Sequence, residues 1–431
     1  MKSLRFCMVT TFYPPWGFGG DGIAVQNLSR ALVADGHSVT VLHNVDAFRT
    51  VARDADASAL PRLEKAYDDG VEVIPISTAW PLASCLQAHQ TGRPASYSNA
   101  IRRVLDRGFD VIHFHNVSLM GGPGILRFGE GVKIYSAHEH WLVCGMHVLW
   151  KNGQEPCTKR ECIRCTLRAR RPPQLWRYTG ALRRAGAHID AFLAMSEFSR
   201  AKHREFGHPY EMLVLPTLVP DVPVLASASP HHRSYFLFSG RLEPIKGLAD
   251  VIPIFMEPDT AGGADLLVAG TGTQRSELER LANGNPRIRF LGRVEPADLS
   301  PYYQHAIATI VPSVGFETLG LSTVESFRAS TPVIARRIGP FPDLLDGGAG
   351  GLLFSDAAEL RLALAQLARD PERGRQLATH SRQKFLEHWE TAAALPRYLA
   401  LVERLVQMKH AAAPSRYPAS PDRAAARVGL A

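Results

Sequence analysis

Cysteine is scarce in this chain: there are six in 431 residues, four of them crowded between residues 144 and 165, with Cys7 and Cys85 isolated. So few thiols, so placed, exclude a disulfide scaffold. Long apolar runs are missing as well. None approaches the ~20 residues that cross a bilayer, which excludes a polytopic helical membrane protein. The apolar stretch near the N-terminus, Phe6 to Thr10, is short and runs into Tyr13-Pro14-Pro15. It reads as a first strand rather than a signal peptide, so a cytoplasmic location with reduced thiols is expected. With 45% hydrophobic and 21% charged residues, neither a disordered nor a fibrous protein fits. Acid is scarce in one place. Between Thr158 and Arg184, nine lysines and arginines face the single acid Glu161, an excess equal to the +8 of the whole chain. No nucleic-acid-binding module accompanies this charge, so nucleic acid is not an expected partner.

What is present is alternation. A chain of this length exceeds the usual single core, and two domains are expected. Short apolar runs at Phe6–Thr11, Ser38–Leu42, Val71–Ile76, Val111–Phe114, Lys133–Ser136 and Ala191–Met195 read as strands separated by helical segments. After a Pro-, Ser- and His-containing stretch from Pro216 to Arg233, the alternation restarts at Tyr235–Ser239, Asp265–Ala269, Ile288–Leu291, Ala308–Val311 and Val333–Ala335. The pattern predicts two doubly wound α/β units facing across a cleft, with ligands at the carboxyl ends of the strands. The expected division is 1–220, with a Cys-rich insertion at about 141–170, then 221–384. A helix at 385–409, the end of a periodic segment from Arg382 to Lys409, packs back on the first unit. The Ala-, Pro- and Arg-rich stretch 410–431 reads as a disordered tail.

Two motifs carry the chemistry. In Gly315-Phe316-Glu317-Thr318-Leu319-Gly320-Leu321-Ser322-Thr323-Val324-Glu325, two carboxylates are separated by seven residues. If Leu319 to Glu325 is helical, they lie on the order of 10 Å apart, suited to the two ends of a long hydroxyl-rich ligand. Thr318, Leu319 and Gly320 would offer helix-opening N–H groups to a diphosphate between them. In Gly240-Arg241-Leu242-Glu243-Pro244-Ile245-Lys246-Gly247, an arginine and a lysine five apart follow a strand. An arginine clamps phosphate oxygens bidentately while a lysine supplies a point charge.

The first motif resembles the E-x7-E donor signature, and the second the G-R-x-x-x-x-K-G diphosphate motif, of family-four retaining glycosyltransferases. Gly270-Thr271-Gly272, Phe290 to Val294 and Gly36 to Val39 are similar to further family segments, so the resemblance spans Phe6 to about Tyr398. It implies the GT-B fold and transfer of a sugar from a nucleotide-diphospho-sugar, a UDP- or GDP-sugar, to an acceptor hydroxyl with retention of configuration. It implies no obligatory catalytic metal, since Arg241 and Lys246 would stabilise the leaving diphosphate. By the same resemblance Glu317 contacts the donor sugar, Glu325 the ribose, and Gly272, Thr318, Leu319 and Gly320 line the donor site. The acceptor is expected to be a glycan or a lipid-linked sugar.

Gly17-Phe18-Gly19-Gly20-Asp21-Gly22 satisfies G-x-G-x-x-G and invites a dinucleotide-binding reading, an NAD-dependent oxidoreductase with Asp46 as the ribose acid. However, Phe12 to Trp16 intervenes between strand and glycines. The segment resembles instead the family's Y-P-P-x-x-G-G loop, making Gly19 and Gly20 cleft residues and Asp21 a weaker one. A catalytically silent nucleotide-sugar or glycan-binding protein is the alternative from another class. His138, at the end of the strand Lys133–Ser136, matches a family histidine near the donor sugar and joins Glu317, Arg241 and Lys246 as a catalytic candidate, with Glu139 ranked below it. Of His113 and His115, at least one should be packed and hydrogen-bonded.

Cys144, Cys157, Cys162 and Cys165 form C-x12-C-x4-C-x2-C and read first as a structural zinc site, with metal-free thiols or an iron–sulfur cluster as the other readings. The basic segment after them contains Leu167, Leu175, Trp176 and Tyr178. It reads either as a solvated face or as a patch for an anionic membrane or lipid-linked acceptor.

Overall fold

The computed structural model describes residues 3–17, 19–52, 66–222, 228–258 and 260–412, apart from the side chains of Pro296, Ala297 and Ala412. The expected tail therefore lies almost wholly outside the described residues. Two sheets dominate. The first runs β10-β9-β6-β5-β1-β2-β4-β3, where β1 is Arg5–Thr10, β2 Ser38–Asn44, β3 Ala66–Asp68, β4 Val71–Ile76, β5 Val111–Phe114, β6 Val132–Ala137, β9 Ala191–Ala194 and β10 Met212–Val214. All its pairings are parallel except β3 with β4. The second runs β13-β12-β11-β14-β15-β16 and is wholly parallel. Its strands are β11 Tyr235–Ser239, β12 Asp265–Ala269, β13 Ile288–Gly292, β14 Thr309–Val311, β15 Val333–Arg336 and β16 Gly351–Phe354.

Strands of this kind are continuous apolar runs because helices cover both faces. Cores formed around Phe114, Ile112 and Tyr135 on one side and Met8, Val41 and Ile134 on the other sandwich the first sheet. Phe236, Val268 and Ile310 anchor the larger core of the second. The second sheet has the 3-2-1-4-5-6 order, whose direction reverses between β11 and β14, and the first reverses between β1 and β5. In open sheets the crevice at such a reversal receives ligand.

Short edge strands such as β3, β10 and β16 escape the sequence pattern, as does the two-residue hairpin of β7 (Trp150–Lys151) and β8 (Glu155–Pro156). The periodic segment from Arg382 to Lys409 is two helices, Pro371–His388 and Thr391–Ala412. The break has a cause: the Trp389 carbonyl accepts the Val219 N–H at 2.8 Å, and the Glu390 side chain caps the Ala392 N–H at 2.7 Å. Beyond it, Leu395, Tyr398, Leu399 and Val402 are buried in the first sheet's core.

Candidate active site

The crevice of the second sheet is walled by the loops after β11 and β14. Gly247, at φ +68°, ends the first loop where a Cβ would strike the Pro312 carbonyl, so glycine lets the two loops touch. Gly272 allows the same closeness to the third loop, since a side chain there would collide with the Leu242 backbone. Lys246 and Glu317 are thereby brought to 2.5 Å, and Ser313 donates to the same carboxylate oxygen at 2.9 Å. Burial works against the Glu317 carboxylate, but the Lys246 charge, these hydrogen bonds and Arg241 outweigh it and hold its pKa below the usual range. Glu325 accepts from the Tyr303 hydroxyl at 2.8 Å, and burial pushes its pKa up. Tyr303 and Ser313 were not foreseen. Ser313 lies four residues before Glu317, but Tyr303 is brought to Glu325 by tertiary packing alone.

The helix carrying Glu325 is Leu321–Arg328, opening two residues later than expected because Gly320 sits at φ +81°. Thr318 and Leu319 therefore precede the helix. Leu319 is buried among Met195, Val324 and Phe341, and Thr318 Oγ1 donates to the His138 carbonyl at 2.7 Å.

Across the crevice stands the reversal point of the first sheet. The helix Gly20–Ala34 starts at Gly20, whose face meets Leu321 of the other half, and Gly19 is exposed just before it. Asp21 accepts from its neighbour's Gly22 N–H and from Asn116; burial and the nearby Glu139 raise its pKa, while Arg241 acts from the opposite wall to lower it. His138 Nε2 lies 2.9 Å from His115 Nδ1, and burial lowers the His138 pKa to about 4, so it is neutral at pH 7. Glu139 pairs with His147. His113 is packed against Tyr398 and hydrogen-bonded to Tyr398 and Ser136. Asp46 is no ribose acid: it is buried and accepts from Thr78 and Tyr97.

Residues 19–217 match the model of the glycosyl transferase 4-like domain, and residues 233–370 that of glycosyl transferases group 1. This chain belongs to the group 1 glycosyltransferases. The glycogen synthase of Mycobacterium tuberculosis is 26% identical over 418 residues, covering 90% of this chain and 92% of that one. Among solved structures, sucrose-phosphate synthase from Thermosynechococcus elongatus superposes with a TM-score of 0.71 at 19% identity, over 94% of this chain and all of that one. Anabaena HepE in complex with UDP-glucose gives 0.61 at 14% identity, over 95% of this chain and all of the other. The fold is GT-B, and the enzyme is a sugar transferase; nothing supports an oxidoreductase.

Two expectations need correction in this glycosyltransferase. Cys144, Cys157, Cys162 and Cys165 do converge, lining one cavity of about 20 Å³ beside Trp150. Among the described residues, though, no group of three or more His, Cys, Asp or Glu side chains is arranged to hold a metal ion, so the expected zinc centre finds no support. The four thiols are unpaired. In the basic segment, Arg177 is structural. Its guanidinium lies over the Trp176 and Trp141 rings and donates to the carbonyls of Trp141, Leu142 and Cys144, and burial lowers its pKa to about 10. Trp176, expected at a membrane surface, is 4% exposed and donates to the His89 carbonyl. Arg168, Arg170 and Arg171 are exposed, with Leu167, Leu175 and Tyr178. No helix among the described residues is long and apolar enough to cross a membrane.

Proposed function

We propose that this enzyme moves a sugar from a nucleoside-diphosphate sugar, with UDP-sugars the first candidates, to the hydroxyl of a glycan or lipid-linked acceptor, with retention of configuration. One observation carries the reading: a lysine–carboxylate pair at the reversal point of the second sheet, on a loop whose Thr318 hydroxyl bonds the carbonyl of a half-buried, neutral histidine, His138, of the other wall. In this reading Arg241 and Lys246 hold the diphosphate, and its arrival draws Lys246 off Glu317. That frees the carboxylate to accept hydrogen bonds from donor-sugar hydroxyls. Glu325, oriented by Tyr303, takes the ribose, and His138 meets the sugar from the other wall. Both charges sit where negative charge develops on the leaving phosphate, so no divalent ion is needed. In this reading Glu317 is engaged by Ser313 and the donor-sugar hydroxyls, which favours departure and attack on one face of the sugar over a covalent intermediate.

A thermal-shift screen of UDP-, GDP- and ADP-sugars, followed by NMR of the product anomer, tests this. Stabilisation by none of them, or an inverted product, would sink it. Undiminished turnover in EDTA is expected. The exposed arginines and Leu167, Leu175 and Tyr178 suit an anionic bilayer carrying the acceptor. Equal co-sedimentation of the parent and an Arg168, Arg170 and Arg171 to Gln variant with anionic vesicles at low salt would remove that part.

A further inference from the structure

The donor loop is gripped by the half of the molecule to which it does not belong. Phe316, beside Glu317, packs with its ring centroid 5.3 Å from that of Phe198, and the Lys202 ammonium lies over the same ring, 4.6 Å from its centroid. Its remaining surroundings are the cluster of Val143, Cys144, Leu149 and Phe206. Gly315 lies against the Trp150 ring so closely that a Cβ would press on it. On the far side of Glu317, the Ser196 hydroxyl donates to the Thr318 carbonyl at 2.6 Å while accepting the Ser199 N–H that starts the helix Glu197–Glu205. Glu317 is thus held between two anchors in the first half, whereas its carboxylate points to Lys246 and Ser313 in the second.

We infer that Phe316, seated in a socket of the first half made by Phe198, Lys202 and the cysteine-bearing segment, whose Trp150 backs the adjoining Gly315, is the positioning residue for Glu317. This gives that segment a role in the reaction that its thiols do not supply: it walls the socket. The consequence follows from lever length. Glu317 is the next residue along, so a shift of the ring displaces the carboxylate that reads the sugar but leaves Arg241 and Lys246 on the loop after β11 and Glu325 on its helix. The inference rests on the proposed donor reading and deepens it.

The test compares the parent with Phe316→Ala, Phe198→Ala and Trp150→Ala, using whichever of UDP-glucose, GDP-mannose and ADP-glucose the parent hydrolyses fastest, and the corresponding nucleoside diphosphate. Each variant should lose on the order of tenfold in kcat/KM for the nucleotide sugar, the scale of a lost aromatic contact. Affinity for the nucleoside diphosphate should stay within about twofold, and Phe316→Tyr should recover most of the activity. A merely structural role would weaken both ligands by one factor, and that result, or unchanged kcat/KM in Phe198→Ala and Trp150→Ala, overturns the inference. Should Phe316→Ala not fold, those two variants decide from the opposite side of the contact. If the parent hydrolyses none of the three donors, the donor reading falls and takes this one with it.

Discussion

Both sheets bring a reversal point to the crevice, yet the two crevice walls are built from different kinds of polar group. Around β1, β5 and β6, much of the polarity is buried imidazole, held neutral by burial. Of the residues described, the histidines that are buried all precede residue 220, among them His43, His113, His115, His140 and His208. Burial lowers the pKa of His43 to about 4, of His113 and His208 to about 3, and of His115 and His140 well below the usual value. Around β11 and β14 polarity is ionic and compensated, with Lys246 against Glu317. A neutral wall offers hydrogen bonds without attracting a charged ligand, whereas an ionic one exchanges partners when an anion arrives. The difference supports the proposed placement of the phosphate in the second half.

Acid should separate the two most sharply. The unfolded chain protonates its histidines near pH 6.5, but the folded first half resists until about pH 4. Its stability is therefore complete above pH 6.5 and should fall by several kcal/mol on the way down to about 4. The Glu317–Lys246 pair loses its contribution in the same direction but in a lower window: the carboxylate's folded pKa is depressed, so its contribution holds down to the ordinary glutamate value of 4.5 and fades only below it. Hydrogen exchange at pH 5 should show β1, β5 and β6 losing protection before β11 and β12; simultaneous loss would break the comparison. Next in size, Lys246→Ala should cut kcat/KM about a hundredfold or more with little change in Tm. Retained activity would mean the ionic wall is not where charge develops.

Arg177→Gln should lower stability by ~2 kcal/mol, the cost of charge-assisted bonds to three buried carbonyls. Denaturant titration against Arg170→Gln, expected within ~0.5 kcal/mol of the parent, tells a structural arginine from a solvated one. Smallest of the binding effects, Glu325→Gln should weaken nucleotide affinity by about tenfold, read by calorimetry. A weakening no greater than that of Tyr303→Phe would show that orientation rather than charge matters there.

The same contrast explains what could be read in the chain itself. Glu317, Glu325, Arg241 and Lys246 lie in two local spacings, and both motifs landed on loops at one crevice because the strands before them are plain apolar runs. Tyr303 lies outside either motif, and only helix packing brings it to Glu325. Arg177 and Trp176 were misread because a run of arginines looks alike whether it is solvated or stacked on tryptophan. The four cysteines share a cavity, but their spacing says nothing of the socket wall they sit behind. His138 was legible as a strand-end histidine, whereas its partner His115 required the β5–β6 pairing.

The helix Thr391–Ala412 has a consequence for how the chain is made. Leu395, Tyr398 and Val402 fill the first sheet's core, Tyr398 bonds His113, and Lys409 bridges to Asp190. During synthesis the segment 1–217 emerges first but lacks this face until nearly two hundred further residues have followed. The second sheet, whose strands all lie between 235 and 354, can close on itself sooner. The half translated first is therefore the half completed last, and on the ribosome it waits with an open apolar groove.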